Sequence, residues 1–250
     1  MMQATRVTQT VILAAGSGSR LAAERGDVPK PLMTVAGLPL IAHALEHATV
    51  SGCREAVVVV GYEGDRVRRA VTSMQSGLSV RFVENPAFTE PNGVSLLAAE
   101  PLAAPAFFLQ MVDHLFLEPA LARLSARPFV SDEVGRVLVD SMPSADIDLD
   151  DATKVQVRGD RVSAIGKGLD TWDAIDAGCF VLTHGIFEAL REVSPGEGRT
   201  VSSGMRRLVA AGRLGAVDIA GASWIDVDTP ADRGIAERLL GRRQLASERS

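Results

Sequence analysis

The stretch Val11-Ile12-Leu13-Ala14-Ala15-Gly16-Ser17-Gly18-Ser19-Arg20 decides the fold. An apolar run without polar alternation that ends in a glycine-rich turn predicts a strand buried on both faces, opening a βα unit. The run 11–15 is shorter than the ~7–15 apolar residues of a signal-peptide core, so it is read as a buried strand and not as part of a secretory leader. After it, small residues let the backbone bend tightly, and successive N–H groups can converge on phosphate oxygens while Arg20 adds a forked, charge-assisted contact. Leu21 stands where a dinucleotide-binding turn has its third glycine, and the Gly-Lys-Ser/Thr of a P-loop is missing.

Outward from this turn, apolar runs alternate with helical patterns. Residues 40–50 put Leu40, Ile41, Ala44, Leu45 and Ala48 on one face of a helix, and 56–60 is a valine-rich strand buried on both sides. A helix over 65–74, strands at 79–83 and 106–112, and a short helix at 94–99 complete the first half. This predicts an α/β fold with a doubly wound, mostly parallel, Rossmann-like sheet whose ligands bind at the carboxyl ends of its strands. The pattern then changes to short strands at 134–139, 153–157, 162–165 and 175–182, with Arg158-Gly159-Asp160 as a hairpin turn. A mixed or antiparallel insertion is expected there. Helices return at 186–192 and 203–211, followed by a strand at 216–219 and a last helix over 230–240, started by Thr229 as cap and Pro230 at its first position. With no repeat and no linker, one domain is expected over 1–242, with a frayed tail over 243–250.

Composition narrows the function. The 250 residues carry a net charge of −5 with no long run of like charge, which argues against a nucleic-acid partner. The apolar runs are far shorter than the roughly 20 residues of a membrane span, so no membrane insertion is expected. Cys53 and Cys179 fit neither a disulfide framework nor a metal knuckle, and a reducing cytoplasm is the default location. His43 and His47 are read as surface residues of the first helix, not a metal pair, because no third ligand accompanies them.

Ten residues after Arg20 comes Val28-Pro29-Lys30-Pro31-Leu32, in which two prolines are expected to hold Lys30 in a rigid extended loop aimed at a polyphosphate. Together, the motifs LAAGxGxR and PKPL resemble the signature of nucleotidyltransferases that activate sugar or alcohol phosphates with a nucleoside triphosphate. Such transfer needs a divalent ion, normally Mg²⁺. Asp113 ends the apolar run 107–112 at a carboxyl edge of the sheet, and the resemblance implies that it holds the metal. In Trp224-Ile225-Asp226-Val227-Asp228-Thr229-Pro230, alternation puts Asp226 and Asp228 on one face, with Asp228 favoured as the second ligand and Asp226 as co-ligand or support.

Further motifs are similar to inositol-1-phosphate cytidylyltransferases, with phosphocholine cytidylyltransferases as more distant relatives. These are Asn85-Pro86, Pro91-Asn92-Gly93-Val94-Ser95-Leu96, Asp113-His114, Ile165-Gly166-Lys167, Asp173-Ala174-Ile175-Asp176-Ala177-Gly178 and Ser203-Gly204-Met205-Arg206-Arg207-Leu208. The resemblance implies that the backbone at Leu13, Ala14, Ala15, Gly16 and Gly18, with Asn92 and Ser95, frames the nucleotide, while Arg20 and Lys30 hold its triphosphate. It also implies an acceptor site of His114, Lys167, Asp176 and Gly178; His114 either orients Asp113 or meets substrate. An oxygen of the acceptor phosphate would attack the α-phosphorus of CTP without a general base, since a phosphate monoester is already anionic at neutral pH. In the inositol enzymes this domain is often fused to a membrane-bound alcohol phosphotransferase, and that downstream partner is expected to be a separate protein here. Oligomeric state stays open. So do other acceptors: a sugar phosphate with UTP or dTTP, phosphocholine or a phosphonate, or a regulator that binds nucleotide without turnover.

Overall fold

In chain order the strands are β1 (Gln9–Ala14), β2 (Thr34–Val35), β3 (Leu38–Pro39), β4 (Glu55–Val60), β5 (Ser79–Glu84), β6 (Ala106–Met111), β7 (His114–Phe116), β8 (Gly135–Asp140), β9 (Lys154–Arg158), β10 (Arg161–Gly166), β11 (Ala174–Thr183), β12 (Leu214–Asp218) and β13 (Trp224–Asp226). The helices are α1 (Leu40–Val50), α2 (Gly64–Ser73), α3 (Asn92–Ala99), α4 (Ala120–Leu124), α5 (Gly185–Arg191), α6 (Val201–Ala210) and α7 (Pro230–Ser247). The structure is a computed structural model that describes residues 7–18 and 27–247. Arg20 and Leu21 lie outside the described residues.

Among the described residues, nine strands form one sheet in the order β5-β4-β1-β6-β11-β8-β12-β10-β9. The half that contains β5, β4, β1 and β6 is parallel throughout, as the alternating βα pattern requires. From β6 onward β11 runs antiparallel to both neighbours, and β9 and β10 form the hairpin whose Gly159 takes φ +64°. The antiparallel strands expected beyond residue 134 thus continue the same sheet, and β9 folds back to pair with the start of β11.

β4 shows why the sheet is covered on both sides. Val57 and Val59 enter one core with Leu96, Phe187 and Met205 from α3, α5 and α6, whereas Ala56, Val58 and Val60 enter another with Ile41, Val67 and Ala236 from α1, α2 and α7. Each fully buried valine contributes about 1.5–3 kcal/mol relative to an exposed one, so a strand without a polar face is stable only between two helical layers.

α7 begins as the sequence predicts. The Thr229 hydroxyl accepts the Asp232 N–H at 3.3 Å, and the Asp232 carboxylate accepts the Thr229 N–H at 2.7 Å, a capping box worth about 1 kcal/mol. The helix runs past residue 240 to Ser247. Two expectations change. Lys30 opens a 3-10 turn, Lys30–Leu32, instead of lying in an extended loop, because the Pro29 carbonyl accepts the Leu32 N–H at 2.8 Å. His47 is buried rather than on the helix surface: its Nδ1–H donates to Gln110 Oε1 at 2.7 Å and its Nε2 accepts the Ala120 N–H at 3.1 Å. Burial pushes its pKa down to about 4, so it is a neutral core group.

Candidate active site

Two chain segments far apart in sequence are joined by a small antiparallel sheet. β7 pairs with β13 so that His114 lies opposite Asp226 and Phe116 opposite Trp224. The Val227 N–H donates to the Asp113 carbonyl at 3.0 Å, which brings Asp226 and Asp228 to the turn that carries Asp113 at the end of β6. Asp113 therefore sits in the turn between β6 and β7. Asp232 fixes the neighbouring backbone further by accepting the Asp228 N–H at 3.1 Å.

Lys30 enters this cluster from the loop after β1. Its Nζ donates to Asp113 Oδ2 at 2.6 Å and also to Asp228 Oδ1. Gly18, at φ +62°, packs on its stem, where an added Cβ would lie 2.7 Å from Lys30 Cβ. A glycine is required at that position by both the backbone and the lysine. Burial works to lower the Lys30 pKa, but the carboxylates of Asp113, Asp226 and Asp228 override it and hold the ammonium charged well above the usual lysine range.

His114 completes the cluster. Its Nδ1–H donates to Asp113 Oδ1 at 2.9 Å, so each oxygen of that carboxylate has a cationic donor. Burial opposes ionisation of Asp113, yet Lys30 and His114 keep its pKa well below the ordinary carboxylate range. Burial would also lower the His114 pKa, and the carboxylates of Asp226, Asp113 and Asp176 raise it to about 9. Asp226 moves the other way: burial, then repulsion from Asp113 and Asp228, pushes it up to about 7 against His114 and Lys30. Its Oδ1 is buried without a hydrogen-bond partner.

Lys30, His114, Asp226 and Asp228 line a cleft of about 770 Å³, together with Asn92, Lys167, Asp176 and Gly178. That size suits a nucleotide-scale ligand. Lys167 is half-exposed and pairs with Asp151, while the Lys154 ammonium donates to the Lys167 carbonyl at 3.1 Å. Asp151 gives no sequence signal, because Asp146, Asp148, Asp150 and Asp151 read as a solvated acidic loop. Asp176 accepts the Gly178 N–H at 2.8 Å, and burial raises its pKa to about 6 against that bond and His114.

The expected nucleotide frame is partly in the cleft. Leu13 and Ala14 are still in β1, Leu13 paired to both β4 and β6 and Ala14 to β4, and they are buried in opposite cores, so the loop proper starts at Ala15. Gly16 has open space around its Cα. Asn92 lines the cleft while its Oδ1 accepts the Val201 N–H at 2.9 Å, tying α3 to the start of α6. Ser95 is buried one turn further on and accepts a hydrogen bond from Asn85 at 2.9 Å. Tyr62 packs edge-on against Phe88.

The donor set fits a hard divalent cation. Ligand atoms of Asp113, His114 and Asp226 lie within 4.8 Å of one another. His114 commits its Nδ1–H to Asp113 and packs its Nε2 against Gly178, which leaves carboxylate oxygens as the ligands, the donors that Mg²⁺-type ions prefer. The unsatisfied Asp226 oxygen is a polar atom that such an ion would neutralise.

Residues 10–141 match the sequence profile of the MobA-like NTP transferase domain. A protein of Rubrobacter xylanophilus named bifunctional IPC transferase and DIPP synthase is 40% identical over 234 residues, covering 92% of this chain and 51% of that protein. Its namesake in Thermococcus kodakarensis is 31% identical over 235 residues, covering 94% and 51%. The chain thus spans about half the length of these curated relatives. Among solved structures, the inositol-1-phosphate CTP transferase from T. maritima superposes with a TM-score of 0.82 at 27% identity over 98% of both chains. A UDP-glucose pyrophosphorylase complexed with UDP-glucose, at TM-score 0.78 and 16% identity, shares the fold.

Proposed function

Because the chain belongs to the MobA-like NTP transferase domain family, we propose that it transfers CMP from CTP to inositol-1-phosphate, forming CDP-inositol and pyrophosphate. The observation that carries this reading is the meeting of Lys30, Asp113 and Asp228 at the carboxyl edge of β1 and β6, beside a cleft that Lys167 also lines. The choice of inositol-1-phosphate and CTP is supported by the names of the relatives above. Cytidine is further supported by a CMP-5'-(3-aminopropyl)phosphonate synthase of Streptomyces rubellomurinus, 38% identical over 125 residues, 49% of this chain and 20% of that protein.

In this reading an oxygen of the acceptor phosphate forms a bond to the α-phosphorus as the bond from that phosphorus to the β-bridging oxygen breaks, and the electron pair leaves with pyrophosphate. No residue need remove a proton. Lys30, with Arg20, holds the triphosphate, Lys167 anchors the acceptor phosphate, and Asp176 accepts from an acceptor hydroxyl. Asp113 and Asp228, with Asp226 as co-ligand, would hold Mg²⁺, which would supply neutralisation of phosphate charge there. The backbone from Ala15 to Gly18, with Asn92 and Ser95, frames the nucleotide. We assign the reaction to the cytoplasm, with a DIPP synthase type of phosphotransferase consuming the product.

Pyrophosphate release with Mg²⁺ over a grid of nucleotides and acceptors tests the reading. CTP, UTP, ATP, GTP and dTTP are crossed with inositol-1-phosphate, glucose-1-phosphate, phosphocholine and aminoethylphosphonate. Release with CTP and inositol-1-phosphate alone is expected. Release with another pair would replace the substrates and keep the site, and silence with nucleotide bound would favour a regulator.

A further inference from the structure

The motif around Gly178 reads in sequence as part of an acceptor site, but its geometry serves His114. Gly178 takes φ +71° inside β11, where the register to β8 shifts between Asp176 and Phe180. A Cβ on it would lie 2.2 Å from His114 Cδ2 and 2.3 Å from Nε2, so the imidazole occupies the space that any other residue would fill. The Asp176 carboxylate closes the bulge by accepting the Gly178 N–H.

The imidazole is held by an aromatic neighbour as well. His114 stacks on Trp224 at 5.8 Å between ring centroids and 11° between planes, and Trp224 stacks in turn on Phe116 at 5.8 Å and 15°. Trp224 cannot rotate freely, because its Nε1–H donates to Asp140 Oδ2 at 2.9 Å. Asp140 is 1% exposed, and its Oδ1 accepts the N–H groups of Met142 and Gly221 at 3.0 and 2.9 Å. Contacts with Gly178 and Trp224 restrict how the ring can turn, and in the orientation they hold, Nδ1 meets Asp113 Oδ1.

We propose that His114 is a positioning residue for Asp113, seated by Gly178 and Trp224, and that it makes no contact with the acceptor. This deepens the reading of Asp113 as a metal ligand and rests on it. A hydrogen-bond donor fixed on the oxygen of a ligating carboxylate sets the direction of the other lone pairs, and loss of such supports lowers metal affinity or activity about 10- to 100-fold.

The test compares Gly178→Ala, His114→Leu and His114→Asn by Mn²⁺ binding to the nucleotide-free protein, followed by electron paramagnetic resonance, and by steady-state kinetics. The side-chain amide of asparagine can replace the Nδ1–H; leucine cannot. Gly178→Ala and His114→Leu are expected to weaken Mn²⁺ binding at least about 10-fold and to lower kcat, with the KM for inositol-1-phosphate within about twofold of wild type. His114→Asn is expected to recover Mn²⁺ affinity to within about threefold of wild type, a rescue that a purely structural role would not give. A raised acceptor KM with unchanged Mn²⁺ affinity would overturn the inference and return His114 to the acceptor site. Should wild type bind no Mn²⁺, the ligand assignment and the inference would fall together. Failure of the substrate reading looks different: Mn²⁺ binding and its loss in the variants persist, and no CDP-inositol forms.

Discussion

Replacing Lys30 with methionine keeps an unbranched apolar stem but leaves Asp113, Asp226 and Asp228 facing one another without the ammonium that now joins two of them. Removing one partner of a buried ion pair costs about 3–5 kcal/mol. The Lys30 side chain is 8% exposed and those of Asp113 and Asp228 are 22% and 26% exposed, so water offsets part of the loss. A destabilisation of about 3 kcal/mol at pH 7.5 without metal is therefore expected. The pH dependence has a defined sign. Asp113 has a depressed folded pKa, so its contribution is full above the ordinary carboxylate value of about 4 and is lost as pH falls through the folded pKa. Lys30 has a raised folded pKa, so its contribution is full below about pH 10 and is lost as pH rises through the folded value. At pH 7.5 the wild-type advantage is complete, and it narrows as pH falls toward about 4 because the crowded carboxylates of the variant, without the ammonium, take up protons before those of wild type. Mg²⁺ is expected to stabilise the variant more than wild type, since it binds the folded carboxylates. Urea unfolding followed by tryptophan fluorescence at pH 7.5 and 4.5, with and without Mg²⁺, measures all three. A difference below about 1 kcal/mol at pH 7.5, or one that is unchanged at pH 4.5, would refute the reasoning.

Three further outcomes follow from the same geometry. Asp113→Asn is expected to abolish turnover while circular dichroism stays native, and near wild-type turnover in Mg²⁺ would remove Asp113 from the metal site. For Lys167→Ala, the KM for the acceptor should rise more than that for CTP, with stability within about 0.5 kcal/mol because its pair with Asp151 is half-exposed. An equal rise in both KM values would move Lys167 out of the acceptor site. His47 has a folded pKa of about 4, below the ordinary value of 6.5, so stability falls by up to about 3 kcal/mol as pH drops between those values. A ring proton of His47 that titrates near pH 6.5 in NMR spectra would contradict its burial as a neutral group.

The parts of the fold legible in the sequence are those fixed by local pattern. The valines of β4 allow only a strand covered on both faces, and Thr229-Pro230 with Asp232 fixes the start of α7 whatever packs on it. The small residues around Gly18 read as a tight turn, although the sequence gives no hint that Gly18 takes φ +62° or that Lys30 fills the space of its missing side chain. Where Lys30 points is a tertiary fact: Asp113 and Asp228 are 83 and 198 residues away along the chain. The same holds for Asp140, which gives no motif and yet fixes Trp224 across 84 residues. His47 shows the opposite error. Its helical spacing to His43 is visible, but burial depends on Gln110 and the α4 backbone, which no window around residue 47 contains.

The central claim is that the acceptor phosphate itself attacks CTP, and isotope tracing tests it most directly. Inositol-1-phosphate labelled with ¹⁸O in its phosphate oxygens is incubated with CTP, Mg²⁺ and the protein, and the products are analysed by mass spectrometry and ³¹P NMR. All label from the consumed acceptor is expected in CDP-inositol, including the oxygen that bridges the two phosphorus atoms, with none in pyrophosphate. Label in pyrophosphate, or pyrophosphate formed without any CDP-inositol, would contradict it.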